Sequence, residues 1–156
     1  MAEAVHLREV MEGDLPELFE HQRDPVANEM AAFPPRTRDA FMVHWRKILV
    51  DSSVTTCTIL VGTAIAGNIV CFEQSGKLLL GYWLGRRFWG RGIATQAVAA
   101  FAPRIPTRPL HAYVAKTNTG SIRVLEKCGF TLTGEHGTEA TDGGETVEEF
   151  VYSLNE

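Results

Sequence analysis

Apolar and polar residues alternate over Val5-His6-Leu7-Arg8-Glu9, and that two-residue period predicts a short first strand. The period then lengthens. Leu15, Leu18 and Phe19 form one apolar stripe behind Asp14-Leu15-Pro16-Glu17, which reads as a capping-box helix start with Pro16 tolerated in the first turn. That helix should end near Asp24-Pro25, leaving residues 24–35, with Phe33-Pro34-Pro35 among them, as a loop. Thr37 should cap a second helix with Phe41, Trp45, Ile48 and Leu49 on its apolar face. Three strands follow. Thr55–Val61 and residues 64–73 are joined by Gly62-Thr63, a Gly-X hairpin signal, and Gln74-Ser75-Gly76 turns the chain into Lys77–Leu84. Helical spacing returns at Ile93, Ala97 and Phe101, predicting a central helix over residues 92–102 with Pro103 and Pro106 at its exit. Residues 110–116 read as a fifth strand. Asn118 should cap a last helix that ends at Gly129, with Phe130 packing back on Leu125. Residues 130–136 and Thr146–Leu154 complete the chain as strands around an Asp142-Gly143 turn.

Composition narrows the class without changing this picture. At 156 residues, 45% hydrophobic and 22% charged, the chain is that of one soluble globular domain, 1–156, with no repeat, linker or low-complexity tract. No apolar run approaches the roughly 20 residues needed to span a bilayer, so no membrane partner is expected. The start, Met1-Ala2-Glu3-Ala4-Val5-His6, lacks the basic region and apolar stretch of a secretion signal. Cys57, Cys71 and Cys128 are odd in number and widely spaced, which suits buried free thiols in a reducing compartment; a cytoplasmic location is the expectation. His6, His21, His44, His111 and His136 show no metal-ligand spacing, so no metal is expected.

Charge is unevenly spread. Residues 77–127 carry nine Lys or Arg and one acid, Glu126, whereas the remainder carries six basic residues and eighteen acids, within a net charge of −4. A basic block suits an anionic cofactor, and an acidic remainder suits a cationic acceptor or is simply a solvated surface. The block coincides with the motifs described next, which disfavours nucleic acid as a partner.

Those motifs begin where the third strand of the run stops. Trp83-Leu84-Gly85-Arg86-Arg87-Phe88-Trp89-Gly90-Arg91-Gly92-Ile93-Ala94-Thr95 is a strand end, a basic glycine loop and a helix start. Gly90 and Gly92 let backbone N–H groups approach a ligand, and the helix adds unpaired N–H groups and the positive end of its dipole. The physical reading is a pyrophosphate cradle. A dinucleotide fingerprint would need glycine at Thr95, and a P-loop would need a Gly-Lys-Ser/Thr ending that is absent.

Arg87-x-x-Gly90-x-Gly92 resembles the acetyl-CoA signature of the GNAT superfamily of N-acetyltransferases. Asn118-Thr119-Gly120-Ser121-Ile122-Arg123-Val124-Leu125-Glu126-Lys127-Cys128-Gly129-Phe130, and Gly81-Tyr82-Trp83-Leu84 before the loop, resemble especially the branch that includes the ribosomal-protein N-acetyltransferases. The resemblance implies a GNAT fold of the α/β (α+β) class. It implies a mixed, mostly antiparallel sheet of about seven strands, with helices on both faces in the order βααβββαβαββ. It also implies transfer of an acetyl group from acetyl-CoA to a primary amine, a protein N-terminus or a small amine, directly within a ternary complex.

The site residues follow from the same resemblance. The strand carrying Trp83 and Leu84 should splay from its neighbour to hold the pantetheine arm, with the Leu84 N–H as oxyanion donor and Gly85 at the mouth. Residues 88–95, with Arg87, should wrap the pyrophosphate, and Asn118, Ser121 and Lys127 should complete the cofactor contacts. Asn118 also reads as a plain N-cap. Ser121 is the candidate hydrogen-bond donor or acid toward the leaving thiolate, since many GNAT enzymes carry a tyrosine acid where this chain has Leu125. For the base, Glu73, His111, a water relay to a distant acid and an already neutral substrate all stay open. A non-catalytic acyl-CoA-binding or sensor domain, and an unrelated nucleotide-phosphate binder, are the competing readings. Monomer and homodimer remain equally open.

Overall fold

The structure is a computed structural model that describes residues 3–139 and 146–156. In chain order it contains β1 (Val5–Glu9), α1 (Leu15–Gln22), α2 (Pro25–Ala31), α3 (Arg38–Leu49), β2 (Thr55–Val61), β3 (Ala64–Gln74) and β4 (Lys77–Leu84). After β4 come α4 (Ile93–Phe101), β5 (Leu110–Ala115), α5 (Thr119–Lys127), β6 (Thr131–Glu139) and β7 (Thr146–Leu154). The seven strands form one sheet in the order β1-β2-β3-β4-β5-β7-β6. Every neighbouring pair is antiparallel except β4 and β5. This is the mixed, mostly antiparallel sheet expected.

Strand alternation sends side chains into two cores, one on each face. Ile65 and Val70 of β3 pack with Leu15, Leu18, Phe19, Phe41 and Trp45 from α1 and α3. Ala66, Ile69 and Cys71 of the same strand pack with Ile93, Ala97, Val98 and Phe101 of α4 and Leu125 of α5. Cys57 and Cys71 are buried and Cys128 is half-buried, all three as free thiols.

Two local expectations are corrected. Residues 24–35 are not all loop, because Pro25–Ala31 is helical. Asp24 caps it by accepting from Val26 N–H, and Pro25 stands at the first helical position, where its missing N–H costs nothing. Asp-Pro therefore begins a helix here instead of closing one, and the helix count among the described residues rises to five. Asp14 likewise does not cap α1 with its side chain. Its carboxylate accepts from Arg8 at 2.7 and 2.8 Å, from Met11 N–H at 2.9 Å and from the Thr58 hydroxyl at 2.8 Å. Thr37 and Asn118 do cap, accepting from Ala40 N–H and Ser121 N–H. Gly129 closes α5 with φ +90° while Phe130 N–H donates to Leu125 O, the expected Schellman close. The Asp142-Gly143 turn lies outside the described residues.

Candidate active site

The sheet opens between β4 and β5. Among the described residues the two strands share a single register pair, Leu79 with His111, near the start of each. Beyond it, Gly81 to Leu84 on one side and Tyr113 to Ala115 on the other have no ladder between them. On its other edge β4 pairs with β3 in unbroken register up to Gly67 opposite Leu84, and Gly85 N–H donates to Ala66 O at 2.8 Å. That bond makes Gly67–Leu84 the non-hydrogen-bonded kind of antiparallel pair, so the Leu84 N–H and C=O point away from β3, toward the opening. The Leu84 carbonyl accepts from the Trp89 indole at 3.2 Å. Its N–H is left directed at the gap.

The second half of the loop from β4 to α4 carries donors without backbone acceptors among the described residues. Among the described residues no backbone carbonyl accepts from the N–H groups of residues 90–95, and the first such bond is Gln96 N–H to Gly92 O. Gly90 and Gly92 hold φ +71° and +76°, the left-handed region that a Cβ resists. A Cβ at either would meet nothing within 4 Å, so backbone conformation, not crowding, calls for glycine. Six N–H groups, two in the loop and four at the start of a nine-residue helix, are an anion site in waiting. Three arginines stand in or beside the loop in the chain. Arg87 and Arg91 lie over the Phe88 ring at 4.6 and 5.3 Å, and Arg86 pairs with Asp24 at 3.0 Å. Arg91 also binds the Glu3 carboxylate, with its Nε 2.8 Å from Oε2. This donor set suits a pyrophosphate, and among the described residues no His, Cys, Asp and Glu group could hold a metal.

The two faces of β4 supply different walls. Trp83 faces α1 and α2, donating its indole N–H to His21 O at 3.0 Å and meeting Phe33 edge-on at 5.9 Å. Gly85 is needed there for closeness, since a Cβ would stand 2.7 Å from the His21 ring. Tyr82 faces α4 and α5. Its hydroxyl lies 2.7 Å from Ser121 Oγ in the first turn of α5. Burial pushes the Tyr82 phenol up to about 12, against a smaller opposing effect of the Ser121 bond. Burial also pushes the His21 imidazole down, helped by Arg87 and opposed by Glu17 and Glu20.

The predicted residues are thus brought together unequally. Leu84, Gly85, residues 88–95, Asn118 and Ser121 gather at one end of the sheet; Lys127 closes the far end of α5, exposed. Glu73 and His111 are not brought there. Glu73 pairs with Leu78 and His111 with Leu79, six and five residues short of Leu84, which is roughly 20 and 17 Å along a strand. His111 is instead occupied by Ser153, whose hydroxyl is 2.6 Å from Nδ1. Nothing in the local sequence marks Tyr82 or His21 as site residues. The alternation of β4 puts Tyr82 on the face of Leu84, but its meeting with Ser121, 39 residues later, is purely tertiary.

Comparison with known proteins agrees with this geometry. Residues 4–131 match the acetyltransferase (GNAT) domain. An uncharacterized N-acetyltransferase p20 of Bacillus licheniformis is 28% identical over 86 residues, covering 53% of this chain. That match spans 48% of the relative, so the chain aligns with about half the length of this curated protein. Among solved structures, a spermidine N-acetyltransferase from Vibrio cholerae, in complex with CoA and spermine, superposes with a TM-score of 0.83 at 15% identity. The alignment covers 97% of this chain and 95% of that one. The ribosomal L7/L12 α-N-protein acetyltransferase RimL, in complex with coenzyme A, gives 0.77 at 19% identity over 97% and 93%. The match over residues 4–131 establishes that this chain belongs to the GNAT acetyltransferase family.

Proposed function

We propose that this protein transfers the acetyl group of acetyl-CoA to a primary amine by direct attack within a ternary complex. One observation carries the reading: the β4/β5 opening lies at the end of β4 from which the loop of unpartnered N–H groups departs. In this reading residues 88–95 bind the pyrophosphate and the pantetheine arm runs along the free edge of β4. The Leu84 N–H donates to the thioester oxygen, where negative charge develops in the tetrahedral adduct. Asn118 spends its Oδ1 on the α5 cap and keeps its amide N–H groups for the pantetheine. Ser121 donates to the departing thiolate. With Glu73 and His111 remote, deprotonation of the amine falls to solvent or to a water relay.

The acceptor enters from the α1–α2 side, which Trp83 and Phe33 line. A cationic acceptor, a basic peptide N-terminus or a polyamine, is favoured by the excess of acids outside the cofactor block. Several of these acids are already engaged: Glu135 and Glu148 with Lys116, Glu149 with His136 and Asp24 with Arg86. Glu17, Glu20 and Glu29 of α1 and α2 are exposed, with Arg23 paired to Glu20 at 3.4 Å. Asp142, Glu145 and the side chain of Glu139 lie outside the described residues. The test is incubation with acetyl-CoA and a panel of amines, polyamines and N-terminal peptides, read by mass spectrometry. A product 42 Da heavier (about the mass of one added acetyl group) supports the reading; CoA binding with no product from any amine would favour a sensor.

A further inference from the structure

Ser121 alone is a weak donor, yet it does not stand alone. The Tyr82 hydroxyl sits 2.7 Å from its Oγ, on the α4/α5 face of β4 and two residues before Leu84. Both groups can donate or accept, and the phenol is far the stronger acid of the two. A phenol in contact with an alkyl hydroxyl therefore donates, and the Ser121 proton is left free for another acceptor. Ser121 N–H is meanwhile fixed by Asn118 Oδ1, which holds the residue in the first turn of α5.

We propose that Tyr82 is a positioning residue for leaving-group departure: its O–H donates to Ser121 Oγ and orients the Ser121 O–H toward the CoA sulfur. The proposal rests on the reading of Ser121 given above. As the tetrahedral adduct collapses, the C–S bond breaks and its electron pair goes to sulfur, while the new C–N bond stays. The proton that finally neutralises the thiolate is the one shed by the acetylated nitrogen. Both hydroxyls keep their own protons. Their part is a two-link hydrogen-bond chain, in which polarisation of Ser121 by Tyr82 strengthens the bond to the thiolate. Burial suits this, because a phenol held near 12 stays protonated throughout the working range.

The chain is read most directly on bound CoA itself, with no acceptor needed. A hydrogen bond to the thiolate favours the charged form and lowers the thiol pKa of the bound cofactor. The ultraviolet absorbance of the thiolate is followed as the CoA complex is titrated, and the same titration with desulfo-CoA is subtracted. The subtraction removes Tyr82 and the protein thiols, including Cys128, the titratable group beside Tyr82. The wild-type midpoint should lie about one pH unit below that of free CoA, a tenfold preference for thiolate. Tyr82→Phe, which removes one oxygen and keeps the ring, should give back about half of that shift. Ser121→Ala should abolish it, and the double variant should match Ser121→Ala, because the two act as one unit. Monofluorotyrosine at position 82, a slightly stronger donor that burial still keeps protonated, should deepen the shift and guards against a folding defect in the phenylalanine variant. A Tyr82→Phe midpoint equal to wild type, or a further shift from Tyr82→Phe in the Ser121→Ala background, overturns the proposal. A wild-type midpoint in Ser121→Ala overturns the reading of Ser121 and the proposal with it.

Discussion

Asp14 and the β4–α4 loop are both charged clusters near a sheet end, and they end in opposite states. At Asp14 the donors and the carboxylate consume one another: Arg8, Met11 N–H and Thr58 all point in, and the side chain is only 5% exposed. Burial works against its charge, yet these bonds prevail and hold the carboxyl at about 2. At the loop the arithmetic is left open, with N–H groups from residues 90–95 lacking backbone acceptors among the described residues and arginines still exposed. A closed cluster stabilises the fold; an open one stores its donors for a ligand. The difference is completeness of hydrogen bonding, not the residue types.

Substitutions can break this contrast. The largest effect is expected for Gly92→Val. A branched residue at φ +76° costs roughly 1–2 kcal/mol in backbone strain and fills the space above the N–H groups. CoA affinity, measured by calorimetry, should fall about a hundredfold, or roughly 2.7 kcal/mol. Wild-type affinity would reduce the loop to a turn.

Asp14→Asn should do the reverse, costing about 1.5–3 kcal/mol of stability while CoA affinity stays unchanged. Its pH signature has a definite sign. The folded carboxyl sits at about 2, below its ordinary 3.8, so its stabilisation is complete above about 4 and is lost as pH falls toward 2. Thermal melts of wild type between pH 5 and 2 should show that loss, and the variant should lack that part of it. A variant that melts like wild type at pH 7 would show that the cluster holds nothing together.

Smaller effects sharpen the open side. Arg87→Ala should weaken CoA binding about tenfold at low salt, and less as salt screens the exposed charge over about 8–10 Å. Glu3→Gln should tighten CoA binding about two- to threefold at low salt, because Glu3 engages the Arg91 guanidinium at the loop. Unchanged affinity on titration of that variant would mean Arg91 serves the N-terminus and not the phosphate.

What was legible in the sequence divides along the same line. The strands and four of the five helices were written in local periodicity and caps, so β4, α4 and α5 could be placed together with the cradle between them. α2 was also written, in Asp24 and Pro25, but Asp-Pro both starts and stops helices, and the local text does not say which. Tertiary partners were not legible. Asp14 looks like a cap until β1 and β2 bring Arg8 and Thr58 to it, and Tyr82 looks like strand core until α5 brings Ser121. Glu73 and His111 have suitable chemistry, but strand register sets them at the wrong end.

Acetyl-CoA binding tests the central claim most directly, measured as the rise in thermal stability with ligand concentration. A ligand that binds only the folded chain at a hundred times its Kd should add about 2.7 kcal/mol, and Gly92→Val should lose that gain under the same conditions. No shift in the wild-type chain at millimolar acetyl-CoA would contradict the claim that this loop and the β4/β5 opening form a cofactor site.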